Sequence, residues 1–216
     1  MSQTKPIMSV ALLFCVSHML SANTLQETSI DAASIQGSAA TATELDQEAI
    51  KTEQLEVQAK QRINVFSTQL KKALLGAVQE NGLKHAVSVC KEQAPVIAQN
   101  LSTDDWTIAR TSLKTRNAEN TPSDWEHAML TLFDQRYKAG DQASSLHASI
   151  VKDNNFKYIQ AIPTGKLCLA CHGKSVEPSL LQQIQTNYPH DKATGFTLQD
   201  LRGAFVVTKS AITVSR

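Results

Sequence analysis

The chain is short of several things, and each shortage removes a class of answer. Aromatic side chains supply only 5% of its 216 residues, and its charges almost cancel at +1. No basic stripe runs along it, which argues against nucleic acid as a partner. No apolar run is long enough for a membrane span. The longest, Ile7 to Leu20, covers about 14 residues where a spanning helix needs ~20. No second C-x-x-C exists to complete a four-cysteine zinc site. No internal repeat is visible. What remains is 42% apolar content, enough for the core of one domain plus extras.

The short apolar run has the layout of a secretory leader. Lys5 supplies the positive start, and Ser21-Ala22 a small-residue exit, although Leu20 at the −3 position fits the cleavage rule poorly. Phe14 before Cys15 argues against lipidation there. Residues 1–22 are therefore expected to be a signal peptide, and the mature protein to be periplasmic. Without them, acids and bases balance, and three cysteines remain: Cys90, Cys168 and Cys171.

Two of those thiols stand in Cys168-Leu169-Ala170-Cys171-His172, the attachment signature of a c-type haem. Each thiol adds to a vinyl group of the porphyrin, and the adjacent imidazole is held beneath the iron as its proximal ligand. One such motif predicts one covalently attached haem. A bound macrocycle also suits a domain so poor in rings of its own. The competing readings are a thioredoxin-like redox pair and a zinc site completed by His190. The first should open a helix straight after a strand. Here Pro163-Thr164-Gly165 precedes the motif and Gly173-Lys174-Ser175 follows it, so a loop-like setting is expected.

Around the motif the pattern predicts an α+β domain. Residues 23–45, rich in Ser, Thr, Ala and Gln, read as a flexible linker. From Asp46 to Glu80, Ala59, Ile63, Phe66, Leu70, Ala73 and Ala77 form a helical stripe closed by Asn81-Gly82. That stripe packs on its own domain or, alternatively, forms a homodimer. A second helix runs from Leu83 to about Asn100, with a kink or break expected near Pro95, and carries Cys90 in the centre of its apolar face. Strands are expected at 106–113, 156–162 and 202–208. Helices are expected from the Ser123/Glu126 capping box to near Gly140, burying Trp125, Met129, Leu132 and Phe133, and over 179–186.

A sixth iron ligand has several candidates. Met129 is the one methionine left after leader removal, but it lies on a core stripe. His85 and His127 point away from the apolar faces of their helices, whereas His147 and His190 fall in expected loops. Cys90 is unpaired and buried, which suits either a ligand or a small core residue. Arg110, Arg116, Arg136 and Arg202 are candidates for the haem propionates.

Four segments, in order, resemble a known family. They are Val89-Cys90-Lys91-Glu92-Gln93-Ala94-Pro95; Arg110-Thr111-Ser112-Leu113-Lys114 running on to Asn120-Thr121-Pro122-Ser123-Asp124-Trp125-Glu126; the haem motif; and Leu201-Arg202-Gly203-Ala204. Over about residues 60–213 they look like the bacterial PAS-like c-type haem domain of unknown function. That domain occurs as stand-alone exported proteins and as the sensor module of some histidine kinases. Ala118 departs from the proline usual after Arg-Asn. The resemblance implies a PAS-like antiparallel sheet flanked by helices, with His172 as proximal and Cys90 as sixth ligand. It also implies electron transfer, or redox or diatomic-gas sensing through an unidentified partner protein. The alternatives are a peroxidase-type haem enzyme with an open distal site near His147 or His190, and a thiol oxidoreductase using Cys168 and Cys171.

Overall fold

The computed structural model describes residues 42–212. The leader expected at 1–22, and the linker expected at 23–45 as far as position 41, lie outside the described residues. The last four linker positions already belong to a helix, α1 (Ala42–Leu101). This helix is bent. Asn81 (φ −140°) and Gly82 (φ +76°) leave helical geometry, and a positive φ is cheap only without a Cβ. The Asn81-Gly82 break expected from sequence is therefore present, with a helical arm on each side of it. Pro95 causes no such break. It is exposed, so the Lys91 carbonyl deprived of its N–H partner is on the water side.

The first arm lies across a sheet. Leu55, Ala59, Ile63 and Phe66, at helical spacing, are buried together with Trp106, Ile108, Phe156, Tyr158 and Val207. Each such large side chain removed from water contributes about 1.5–3 kcal/mol. Where the arms meet, small residues allow close approach, with Ala73 and Ala77 against Ala86 and Val89.

The sheet has four antiparallel strands: β1 (Trp106–Thr111), β2 (His147–Lys152), β3 (Asn155–Pro163) and β4 (Leu201–Lys209). Their order is β1-β4-β3-β2, so the strand that comes last in the chain occupies the middle. Alternation sorts the residues by face. Phe156, Tyr158 and Val207 meet α1, while Ile159, Ala161, Ala204 and Val206 meet helix α2 (Asp124–Lys138).

Three strands were expected, and β2 is the addition. Asp153 and Asn154, with φ of 51° and 57°, form a two-residue turn that folds Lys152 back onto Asn155. His147, expected in a loop, is the first residue of that strand. Helix α2 starts at the expected capping box, where the Ser123 N–H donates to Glu126 Oε2 at 3.1 Å. Of the face expected to be buried, Trp125 and Met129 are only half-buried. Leu130 and Phe133 are buried, whereas Leu132 is 42% exposed, because it points about 100° round the helix from Phe133. No described helix is long and apolar enough to cross a membrane.

Candidate haem-attachment site

The Cys168–His172 motif is helical rather than loop-like. A 3-10 turn, Lys166–Cys168, runs into one α-turn, α3 (Leu169–His172). Their i, i+3 and i+4 spacing puts both thiols and the imidazole on one face of a short rod. The rod ends because Gly173 becomes extended, and a Cβ on Gly173 would sit 2.5 Å from the Leu169 carbonyl oxygen.

A later segment is clamped along this turn. Phe196 N–H donates to the His172 carbonyl at 2.9 Å, and Gly195 N–H to the Gly173 carbonyl at 3.0 Å. The His172 ring meets the Ala193 carbonyl through Nδ1 at 2.6 Å and packs edge-on to Phe196. A carbonyl can only accept, so Nδ1 carries the proton and Nε2 keeps its lone pair free for a metal. Burial, followed by the nearby charges of Arg202 and Arg116, pushes the imidazole pKa down to about 2. The ring is neutral at ordinary pH, as a ligand must be.

Arg116 holds the clamp in place. Its Nε donates to Asp191 Oδ1 at 3.1 Å, and its Nη2 to the carbonyls of Cys171 (2.6 Å) and Ala193 (3.3 Å). Asp191 also accepts from the Ala193 N–H at 2.9 Å. Neither Asp191, Ala193 nor Phe196 was singled out from sequence. Their work is done mostly by backbone groups, which leave no pattern in residue type.

Cys90 faces the same region from the second arm of α1. One turn before it, Val87 is buried with Leu180 and Ile184 of helix α4 (Pro178–Asn187), and Cys171 and Tyr188 pack on that cluster. Burial raises the Cys90 thiol pKa, while Arg110, Arg116 and Arg202 oppose the rise. Burial likewise raises Cys171. Arg202 Nη1 donates to Ser112 Oγ at 3.2 Å, and its guanidinium lies 5.3 Å from the Phe196 ring. Its pKa falls to about 10 through burial and repulsion from Arg116 and Arg110. Arg110 rests 5.8 Å over Phe66, and its guanidinium has no hydrogen-bond acceptor among the described residues. Arg116 and Arg110 both repel Arg202, and the carboxylate of Asp191, paired with Arg116, offsets part of this charge, leaving positive charge that further anionic groups would neutralise.

The other candidate ligands are elsewhere. His85, His127 and His190 are exposed. His147 stacks on Tyr158 at 5.7 Å, and Met129 packs on the α2 face of the sheet. Arg136 is exposed and paired with Asp141 at 2.6 Å. Among the described residues, no three His, Cys, Asp or Glu side chains converge as a metal-binding cluster. A cavity of about 540 Å³ opens between the first arm of α1 and the sheet, lined by Lys60, His147, Gln160 and Phe205 among others. None of the motif residues, nor Cys90, lines it.

The sequence matches the Tll0287-like family over residues 34–210. A solved structure, described as the crystal structure of the cyanobacterial heme-protein Tll0287, is 28% identical to it. That match covers 82% of this chain and 100% of the other, with a TM-score of 0.49. No curated protein matches.

Proposed function

The chain belongs to the Tll0287-like family, and we propose that it is an exported monohaem c-type cytochrome with a PAS-like fold. Cys168 and Cys171 would hold the porphyrin by thioether bonds, and His172 Nε2 and the Cys90 sulfur would hold its iron. Arg110 and Arg202 would face the propionates. Arg116 is already committed to Asp191 and the motif backbone, so its part is chiefly to hold the turn. The single observation that carries the reading is the His172–Ala193 bond, which fixes the tautomer and frees Nε2 beside two thiols.

The haem iron, when bound, supplies one-electron chemistry. The protein tunes it. A thiolate donates electron density and favours the ferric state, and nearby arginines oppose that by favouring the lower positive charge. Such a site would suit electron transfer or redox sensing, with Cys90 the residue that would hold the iron or yield its place to a small gas. Peroxidase-type turnover would require that place to be open at rest. Periplasmic location, and a separate redox or signalling partner, belong to the same proposal.

The test is the ferric and ferrous optical spectrum of haem-loaded wild type beside Cys90→Ser. The expected result is a low-spin thiolate signature in the wild type that the variant loses, becoming high-spin or open to carbon monoxide. Coincident spectra would remove Cys90 from the iron. Failure of the wild type to retain haem after denaturation would remove covalent attachment.

A further inference from the structure

The chain has three tyrosines, and two of their hydroxyls are accounted for. Tyr137 donates to the Leu198 carbonyl at 3.5 Å, and Tyr158 to Gln160 Oε1 at 3.3 Å. The third, Tyr188, has no hydrogen-bond partner among the described residues. A half-buried phenol ordinarily finds one.

Its position shows where a partner would be. Tyr188 ends α4, tied by its N–H to the Ile184 carbonyl at 2.8 Å and by its own carbonyl to the Asp191 N–H at 3.0 Å. Those bonds fix the backbone on either side of the ring. The ring packs on the cluster of Val87, Leu180 and Ile184, as does Cys171 of the motif, and Val87 is one turn from Cys90. It therefore stands between the helix that carries the proposed sulfur ligand and the turn that carries the proposed imidazole ligand. Cys90, Arg110 and Arg116 are its electrostatic neighbours, and burial lowers the Arg110 pKa while Cys90 and Tyr188 oppose the fall. A phenol O–H with no acceptor among the described residues and a thiol with no donor among them thus lie in one neighbourhood of the fold.

We propose that Tyr188 is a positioning residue for the Cys90 ligand, its hydroxyl donating a hydrogen bond to the sulfur when that sulfur is a thiolate on iron. This rests on the haem reading given above. The bond withdraws electron density from the sulfur, so it weakens donation to the iron and raises the reduction potential. Arg110, beside both groups, stabilises the same negative charge through space. A phenol suits this role because it donates one hydrogen bond without adding charge and keeps an apolar ring against Val87.

The experiment compares haem-loaded wild type with Tyr188→Phe, Tyr137→Phe and Cys90→Ser, read by redox titration and by the sulfur-to-iron charge-transfer band. Tyr188→Phe keeps the ring and loses only the donor. It is expected to shift the ferric/ferrous equilibrium towards ferric by about tenfold, as for one hydrogen bond to a charged group, and to move the band to lower energy. Tyr137→Phe is expected to change neither. If Tyr188→Phe matches the wild type while Cys90→Ser does not, the Tyr188 proposal falls and sulfur ligation stands. If Cys90→Ser also matches the wild type, both fall. A Tyr188→Leu variant separates packing from donation. It should reproduce the potential shift of Tyr188→Phe, and a normal potential in it would overturn the proposal.

Discussion

Arg116 and Asp191 form a nearly enclosed ion pair, with side chains 11% and 4% exposed, and the pair spans from the loop after β1 to the segment that clamps the haem motif. The Arg116 head also donates to two carbonyls, so the pair joins three stretches of chain that backbone bonds, such as Lys192 N–H to the Thr115 carbonyl at 2.8 Å, also link. Removing one partner leaves a buried charge alone. Arg116→Ala is expected to cost about 3–5 kcal/mol in chemical unfolding, and the paired change Arg116→Met with Asp191→Leu much less. A loss below about 1 kcal/mol for the single variant would mean that water replaces the arginine and that the clamp is held by backbone bonds alone.

Gly173 is needed for its missing side chain. A methyl there would meet the Leu169 carbonyl at 2.5 Å, and relief requires either the α3 turn or the 193–196 segment to move. Gly173→Ala is expected to destabilise the fold by about 1–3 kcal/mol and to lower covalent haem content in a host that matures c-type cytochromes. Wild-type haem content and stability together would show that the turn has slack.

The arginines predict an electrostatic effect on the iron. Arg110→Gln removes a positive charge next to Cys90 and is expected to favour the ferric state by roughly tenfold, the scale of one unit charge at partly screened range. The redox titration should show this with the spectrum otherwise unchanged. An unshifted potential would place the iron outside the reach of Arg110.

Acid should weaken the protein partly through Asp200. Burial pushes its carboxyl up, but donation from the Thr197 N–H (2.7 Å) and hydroxyl (2.9 Å) outweighs this and leaves it below the usual carboxylate value. The folded value is the lower one. The stabilisation is therefore complete above the unfolded carboxylate value, near pH 4, and is lost as the pH falls through the folded value. In urea unfolding between pH 7 and 3, Asp200→Asn is expected to flatten the acid limb. An unchanged slope would assign that limb to other carboxyls.

The hairpin between β2 and β3 can be improved. Asn154 holds φ +57° in a two-residue turn whose second position favours glycine. Asn154→Gly is expected to raise stability by about 0.5 kcal/mol, after the extra freedom glycine gains in the unfolded chain is subtracted. A loss measured by the same unfolding curves would show that the Asn side chain contributes more than its backbone strain costs.

Sequence reading reached the elements whose signals are local. The Asn81-Gly82 break, the Ser123/Glu126 capping box and the β4 run Leu201 to Lys209 each declare themselves within a few residues. The C-x-x-C-H motif is local as well, although its helical turn was read as loop because flanking Gly165 and Gly173 obscure a rod only a few residues long. The missed strand β2 is ordinary in composition, and its evidence was the Asp153-Asn154 turn that pairs it with β3. Leu130 rather than Leu132 is buried, because the two leucines lie about 200° apart on the helix and only Leu130 faces the sheet with Phe133. The clamp was out of reach. Ala193 and Phe196 act through a carbonyl and an N–H that every residue possesses, and only the fold brings them to His172.

The middle place of β4 in the sheet has a consequence for how the protein is made. A chain that leaves the ribosome or a translocation pore amino end first presents β1, then the β2–β3 hairpin, and only afterwards the strand that joins them. Until residues 201–209 arrive, the two halves have no common hydrogen-bonded neighbour, and the segment 193–196 has no finished scaffold behind it. The two thiols and the imidazole are then already out, on a chain that has not closed over them. If haem is attached covalently as proposed, strand order would act as a timer, giving that chemistry an interval in which the motif is still pliable before the last strand zips the domain shut.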